Sequence, residues 1–397
     1  MLFKISWKNI LDKKLNSFLC ILLMTLGIAM ISLLMLLGKQ LQDKFAKNIS
    51  GIDLVVGAKG SPLQLILSSI YQIDNPTGNV YLDDVQAIAQ NPLVKTMIPL
   101  SMGDNFQGYR IVGTNKKYFE HFKTAFASGK MFKDNLEVVL GGQTALNTNL
   151  KIGDTFASSH GLDSEGEKHA ERSYKVVGIL AFNNSVVDNL ILTSLGSVWS
   201  IHDHHEESEQ EDSTTAKKEI TSAIIKFRSP MGMMTMPRNI NQNSKLQAAV
   251  PAIEVNRLFE LLGIGIEGLQ FLAAVIMLIS GISVFVSLYN SLKERKYEMA
   301  LMLSMGASRT RLFLMLLLEG IILSLLGFIA GILLSRIGIY LVSNQLSKKF
   351  HFDITQFSIQ TGEIYLLFGA LFVGILAAAI PSMGIYRINI SKTLAEE

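Results

Sequence analysis

Three histidines lie within four residues, at His202, His204 and His205, and carboxylates follow them. Imidazole nitrogens and carboxylate oxygens are ligands that Zn²⁺ accepts in proteins. The surrounding residues 202–218 are rich in Ser, Glu, Asp and Lys, so we expect a solvent-exposed loop that would hold zinc weakly and reversibly. The alternative is a solvated acidic loop in which the histidines bind nothing.

Four methionines lie within six residues, at Met231, Met233, Met234 and Met236. Thioether sulfur is a soft ligand that suits Cu(I), but methionine also forms adaptable apolar contact surfaces. Prolines at positions 230 and 237 predict an irregular loop over residues 229–244. We therefore expect an apolar contact loop for lipid or a partner protein, with copper binding or packing against the domain or membrane as alternatives.

Motifs for catalysis are missing from the chain. A nucleotide-hydrolysing protein needs G-x-x-x-x-G-K-[ST] to hold phosphates and magnesium, and the sequence has no such run. It has no G-x-S-x-G or H-E-x-x-H either, so we predict no catalytic residues and no bound cofactor. The net charge of +3 gives no indication of nucleic-acid binding.

The chain contains four long apolar segments. Over its full length, 49% of its residues are hydrophobic and 17% are charged. Each segment is long enough to cross a hydrocarbon core of roughly 30 Å. We predict an α-helical membrane protein whose four transmembrane helices cover residues 18–38, 268–290, 312–334 and 364–386.

Basic residues near the segment ends predict the orientation, because positive charge accumulates on the cytoplasmic side. Basic residues occur in the N-terminus 1–17, in the segment 291–311 and in the tail 387–397. These three parts are therefore expected in the cytoplasm. The prediction is a four-pass protein of the bacterial inner membrane with both termini on the cytoplasmic side. The loop 335–363 and the long segment 39–267 are expected outside.

The segment 39–267 is long enough to fold as its own domain. We predict strands at Tyr109–Val112, Glu137–Leu140, Tyr174–Leu180, Asn189–Leu192 and Ala223–Phe227. Helical patterns occur at Pro62–Tyr71, Leu82–Gln90 and Leu246–Leu262, and polar solvent loops are expected at 160–172 and 202–218. The prediction is a large α+β extracytoplasmic domain inserted between helices 1 and 2.

The segment 291–311 joins the second and third apolar runs and contains KERKYEMALMLSMGASRTR. We predict a helix over Lys293–Ser304, with Glu294 and Glu298 one turn apart. Gly306 can supply a positive-φ break, after which Ser308 caps the next helix. A helix, a tight turn and a second helix would pass the motion of a docked subunit on to the membrane helices. The alternative is that this segment is a solvated loop without such a role.

This segment resembles the coupling region of FtsX-like, MacB-type (type VII) ABC transporter permeases. The residues that carry the resemblance are Glu298, Ala300, Gly306, Ala307, Ser308 and Glu319, with Ala378, Pro381, Arg387, Ile388, Ile390 and Leu394 near the end of the chain. The resemblance implies that Glu294, Glu298, Ala300, Gly306, Ala307, Ser308 and Arg309 meet an ATPase subunit. Departures occur at Leu303-Ser304-Met305 and at Asn389-Ile390, where the family usually has Arg-Ala and Asp-Pro.

The resemblance also implies partners. It predicts a separate cytoplasmic ABC ATPase that binds ATP and Mg²⁺, a second permease chain and an extracytoplasmic adaptor or substrate-binding protein. The expected function is export or release of a substrate at the outer face of the membrane, with metal handling as one use. The alternative is a regulator that transports nothing and switches a cell-wall hydrolase or a sensor.

Glu319 is an acid inside an apolar helix, where a charged carboxylate is costly and marks a functional position. We expect it to have a structural or conformational role, with proton or substrate handling as the alternative.

Overall fold

The structure is a computed structural model that describes residues 2–160, 168–202, 218–350, 360–390 and 393. The chain forms two compact units: Met1–Leu41 with Leu261–Glu397, and Gln42–Glu260. Each has its own hydrophobic core. Four helices of the described chain are long and apolar enough to cross a membrane.

The chain begins with two helices, α1 at Leu2–Asp12 and α2 at Lys14–Ile49. α2 is apolar for most of its length and is the first of the four membrane candidates. α1 was expected only as part of an N-terminal segment, and its helical structure was not predicted.

The middle unit is built on a mixed sheet. The strands of the described chain are β1 Leu54–Ala58, β2 Val80–Tyr81, β3 Val94–Phe106, β4 Tyr109–Thr114, β5 Phe126–Gly129, β6 Glu137–Leu140, β7 Thr155–His160, β8 Lys168–Leu180, β9 Ile191–Ser194, β10 Glu219–Ile220, β11 Ser222–Phe227 and β12 Leu246–Ala249. The main sheet has the order β12-β1-β11-β3-β4-β9-β6-β8-β5, β7 pairs with β3 and β8, and β2 pairs with β10 in a small separate sheet.

Short helices cover this sheet. They are α3 Pro62–Ile66, which continues into a π-helical turn at Leu67–Tyr71, α4 Leu82–Ala89, α5 Lys116–His121, α6 Gly142–Thr148, α7 Leu195–His202 and α8 Pro230–Asn243. The α+β architecture of this unit agrees with the prediction.

Side-chain alternation along the strands sends residues to the two faces of the sheet. Val55 pairs with Ile224, and both lie in the core that α3 and α5 cover. Their neighbours Leu54, Val56 and Ile225 belong to a second core, to which α8 contributes Met236 and Ile240. Both faces of these strands are therefore buried.

The chain returns to the first unit through α9 at Pro251–Glu294, α10 at Lys296–Ser304, α11 at Arg309–Phe350 and α12 at Thr361–Ser382, followed by a 3₁₀ turn at Met383–Arg387. Small residues form the seam between α11 and α12. A Cβ added at Gly374 would lie 2.8 Å from the Ser324 Cβ, and one added at Gly320 would lie 2.5 Å from the Ala378 Cβ. The two helices therefore pack with almost no space between their backbones.

The structure corrects the expected loop at residues 229–244, which is helix α8. Ser229 caps the helix by accepting a hydrogen bond from the Met231 amide, and Pro230 occupies the first turn, where its fixed φ favours a helix. Pro237 lies inside the helix. The methionines consequently lie on a helix and not in a loop.

Three further predictions of secondary structure were wrong at the ends of the predicted segments. Residues 246–249 are strand β12, paired with β1, and the helix starts at Pro251 because a proline ring suits a first helical turn. Residues 186–189 form a 3₁₀ turn capped by Ser185, so the strand predicted at Asn189 starts at Ile191. Residues 168–172, expected in a loop, belong to β8.

Candidate functional site

The coupling segment is two helices with a break at Arg295, not the continuous helix that the sequence predicts. α9 ends at Glu294 and α10 covers Lys296–Ser304. The end of α10 is a Schellman turn, in which the Gly306 amide donates to the Leu303 carbonyl and the Ala307 amide donates to the Met302 carbonyl. The φ of Gly306 is +93°, which confirms the positive-φ break.

The next helix begins directly after this turn. The Arg311 amide donates a 3.3 Å hydrogen bond to the Ser308 hydroxyl, so Ser308 caps α11 as predicted. A rigid turn therefore joins α10 to α11.

The inner side of α10 is packed into the helix bundle. Met299 and Ala300 are buried together with Leu312 and Leu316 of α11 and with Ile385 of the C-terminal 3₁₀ turn. Ala300 has no exposed surface, so it acts through packing and cannot contact a partner directly. A displacement of α10 would therefore press on the start of α11 and on the end of the chain.

The outer side of α10 is exposed and apolar along one line. Tyr297, Leu301 and Met305 are spaced four residues apart and are 41%, 44% and 80% exposed. Glu298 is exposed beside them. We call these four residues the α10 outer face.

Charged contacts tie the segment to the beginning of the chain. Lys13 forms an ion pair with Glu294, and Arg295 lies 3.5 Å from the Asp12 carboxylate. The Arg309 guanidinium donates to the backbone carbonyls of residues 386 and 388, at 3.1 and 3.4 Å. Among the predicted site residues, Glu294 and Arg309 are thus engaged within the chain.

Glu319 is buried in α11, 3% exposed, and accepts a hydrogen bond from the Asn9 amide of α1. One turn earlier on α11, the Met315 carbonyl accepts a 3.0 Å hydrogen bond from the Ser6 hydroxyl. The sequence identified the acid but not its partner. α1 is therefore a part of this site, although sequence reasoning did not assign it.

A second buried acid was also missed. Glu363 of α12 is 3% exposed, lies 2.8 Å from the Arg336 guanidinium of α11 and accepts a 2.8 Å hydrogen bond from the Ser32 hydroxyl of α2. It also accepts a 3.2 Å hydrogen bond from the backbone amide of Gln360, the N-cap residue of its own helix, as the third residue of a capping box. The signal in the sequence was an arginine and a glutamate, each at the edge of an apolar run.

The other predicted sites lie in the middle unit. His202 is the last residue of α7, and His204 and His205 lie outside the described residues, so the zinc site stays a prediction. Within the described ranges, no cluster of three or more metal-binding side chains occurs.

The methionines separate on α8. Met231, Met233 and Met234 are 62%, 37% and 82% exposed, whereas Met236 is buried. Met236 and Ile240 line a cleft of about 850 Å³, which is also lined by Lys59 and Asp84. A contact surface at the three exposed methionines stays a prediction, and Met236 belongs to the core.

Four helices long and apolar enough to cross a membrane, an α+β unit and the packed helix α10 are features of a membrane protein of the permease class. The chain matches two family models: MacB-like periplasmic core domain over residues 17–235, and FtsX-like permease C-terminal over residues 270–393. The chain therefore belongs to the MacB-type family of FtsX-like permeases, as its coupling segment predicts.

Curated relatives share the whole length of this chain. The chain is 21% identical over 413 residues to the macrolide export ATP-binding/permease protein MacB of Neisseria meningitidis Z2491, and 20% identical over 418 residues to the protein of the same name from Campylobacter jejuni 81-176. In both cases all of this chain is covered and 61% of the relative.

Two solved structures are similar to part of the chain. The periplasmic region of MacB from Actinobacillus actinomycetemcomitans has a TM-score of 0.35 at 14% identity, covering 55% of this chain and 98% of that one. The extracellular domain of the ABC-type transporter YknZ from Gram-positive bacteria has a TM-score of 0.31 at 13% identity, covering 50% and 98%.

Proposed function

We propose that this chain is the membrane subunit of an ABC transporter. An ATPase on a separate chain binds the α10 outer face, and ATP hydrolysis there moves the unit Gln42–Glu260 to export or release a substrate at the outer face of the inner membrane. The α10 outer face carries the proposal, because an apolar stripe at a charged, basic turn is a surface for another protein.

The two sides of α10 support a role in transmitting force. One side exposes Leu301 to a partner, and the other buries Ala300 against α11. The Schellman turn at Gly306 and the cap at Ser308 leave few freely rotating residues between the two helices. A push on α10 would therefore reach the membrane helices without being lost in a flexible loop.

The proposed topology has both termini, α1 and α10 in the cytoplasm and the unit Gln42–Glu260 outside, inserted between the first two membrane helices. Basic residues 4, 8, 13 and 14 and those around α10 support this orientation through the positive-inside rule. The proposed assembly contains two permease chains and two ATPases. ATP and Mg²⁺ would bind the ATPase, and the curated relatives combine ATP-binding and permease in their names.

The polar side chains buried in the membrane helices favour motion over conduction of cargo. Glu319 is engaged by Asn9, and Glu363 is engaged by Arg336 and Ser32. Because each acid is held by side chains of other helices, we assign both acids to contacts between helices and not to a path for cargo. The same observation suits the second candidate, a regulator that uses this motion to switch a wall hydrolase or sensor. Stimulation of ATP hydrolysis by a transported substrate would favour the transporter.

The substitution Leu301→Glu tests the α10 outer face. The tagged full chain is purified from its native membrane in mild detergent, and vanadate-sensitive ATP hydrolysis is measured in the purified sample. We expect activity with the wild type and its loss with Leu301→Glu, because a charge at the centre of an apolar contact is left desolvated.

The matched control is Leu146→Glu, which places the same charge at a leucine that is 63% exposed in the middle unit. It should retain the activity. Equal activity in Leu301→Glu and the wild type would contradict docking at α10.

A further inference from the structure

Helix α1 has one face that the bundle does not cover. Phe3, Trp7 and Leu11 follow one another at intervals of four residues and are 59%, 40% and 49% exposed. The Phe3 and Trp7 rings stack with their centroids 6.3 Å apart. At about 3.6 residues per turn, this spacing forms a single apolar stripe along the helix.

The rest of the α1 surface next to the stripe and behind it is partly occupied. Ile10 and Ser6 are buried, and Ser6 and Asn9 donate hydrogen bonds to α11. These contacts hold α1 in one rotational position. The aromatic stripe must therefore face something outside the bundle.

Basic side chains border the stripe. Lys4 and Lys8 are exposed, and each follows directly after one of the two aromatic residues. Further round the helix comes Asp12, which lies near Arg295 at the coupling segment. Going round the circumference of α1, the face that contacts the bundle is followed by the apolar stripe, then by the two lysines and then by Asp12.

This order matches the layers at a membrane surface. Aromatic rings lie at the boundary of the acyl chains, and lysines beside them reach the headgroup phosphates. The first turns of α2 also expose apolar side chains, at Leu15, Phe18 and Leu19. Because α2 is a membrane candidate that starts two residues after α1 ends, the stripe lies next to the same bilayer.

We propose that the aromatic side of α1 lies in the cytoplasmic leaflet and that Lys4 and Lys8 bind the phosphates of anionic phospholipids. The proposal rests on the membrane placement given under Proposed function and adds a lipid partner to it. Since Asn9 of the same helix holds Glu319, the lipids would fix α1 against α11 next to the coupling segment.

Tryptophan fluorescence tests this surface in the full chain. The sequence has two tryptophans, and Trp199 lies in the middle unit, so Trp199→Phe leaves Trp7 as the single reporter. The protein is reconstituted in vesicles of phosphatidylcholine and phosphatidylglycerol, with bromine on the acyl chains of one lipid at a time.

We expect both brominated lipids to quench Trp7, and brominated phosphatidylglycerol to do so more strongly. An attraction of the size known for one lysine at an anionic surface corresponds to an enrichment on the order of fivefold, so the two lysines together give on the order of thirtyfold. The double substitution Lys4→Gln/Lys8→Gln should abolish this preference and keep the quenching by phosphatidylcholine. That retained quenching shows that the variant is still inserted.

A chain with Trp7→Phe, Trp199→Phe and Phe372→Trp is the control, because Phe372 is 63% exposed on α12. We expect its tryptophan to be quenched equally by the two lipids. Quenching at position 372 without quenching of Trp7 would overturn the proposal and leave the membrane placement intact, with a second chain or another protein covering the stripe. Equal quenching of Trp7 by both lipids would overturn the anionic preference. No quenching at position 372 would overturn the membrane placement and the proposal together.

Discussion

Replacing Glu363 with alanine should destabilise the helix bundle. The carboxylate joins three helices, since it contacts Arg336 of α11, Ser32 of α2 and the capping amide of its own α12. The substitution removes these contacts at once and takes the Glu363 carboxylate away from the buried guanidinium.

The expected cost can be worked from the burial of the pair. Removing one member of a buried ion pair costs about 3–5 kcal/mol, since the remaining charge stays desolvated. The Glu363 side chain is 3% exposed, but that of Arg336 is 16% exposed and can relax toward water, which favours the lower end. The lost hydrogen bond from the Gln360 amide adds about 1 kcal/mol. We therefore expect a loss of about 4 kcal/mol in the free energy of unfolding.

The measurement is an SDS titration of the purified full chain in mixed micelles, followed by circular dichroism. Glu260→Ala is the matched control, because Glu260 is an exposed acid on α9, and it should change stability by less than about 0.5 kcal/mol. Arg336→Met combined with Glu363→Ala should recover part of the loss, since the largely buried guanidinium that loses the Glu363 carboxylate is removed as well. A loss below about 1 kcal/mol in Glu363→Ala, or no recovery in the double variant, would refute the reasoning.

Three other predictions concern the turn, the pH dependence and the histidines. Gly306→Val should lower the free energy of unfolding by about 1–2 kcal/mol in the same titration, because valine disfavours the positive φ of this position. Steric clashes should not contribute, since nothing lies within 4 Å of an added Cβ. Unchanged stability would contradict a required left-handed turn. Burial, followed by the nearby Lys226, lowers the pKa of His121 from its usual 6.5. Its neutral form is favoured in the folded state, so stability of the middle unit should fall as pH drops below 6.5 through the lower folded pKa. His121→Phe should flatten this fall in Trp199-monitored urea unfolding, and an equal slope in the variant would exclude His121 as its source. Calorimetric titration with zinc should show saturable binding that is lost when His202, His204 and His205 become alanine, and no heat in the wild type would leave the segment as a solvated loop.

Much of the middle unit could be predicted because its strands carry their own signal. Glu137–Leu140 is found at its predicted bounds, as a short apolar run followed by glycines. Helix α8 was missed because two prolines suggested a loop, although Ser229 and Pro230 together are a helix-starting pair. The signal was present in the sequence, but its meaning depended on the position of the proline relative to the cap.

The coupling segment was predicted in part for a physical reason. Gly306 and Ser308 act within a few residues of themselves, so their local sequence is enough to indicate a turn and a cap. Ion pairs between distant helices have no such signature. Arg336 and Glu363 are 27 residues apart, and Asn9 and Glu319 are 310 apart, so only the fold brings them together.

The small-residue seam of α11 and α12 determines which helices can move relative to one another. Gly374 and Gly320 offer no rotatable side chains that could readjust if one backbone slid along the other, so any sliding would lose close contacts without a gain in side-chain freedom. The pair should therefore turn as a single block, with the distance between its axes constant through a reaction cycle. Distance measurements by spin labels on these two helices would then serve as a fixed internal ruler, against which the displacement of α1, α2 and α9 can be read.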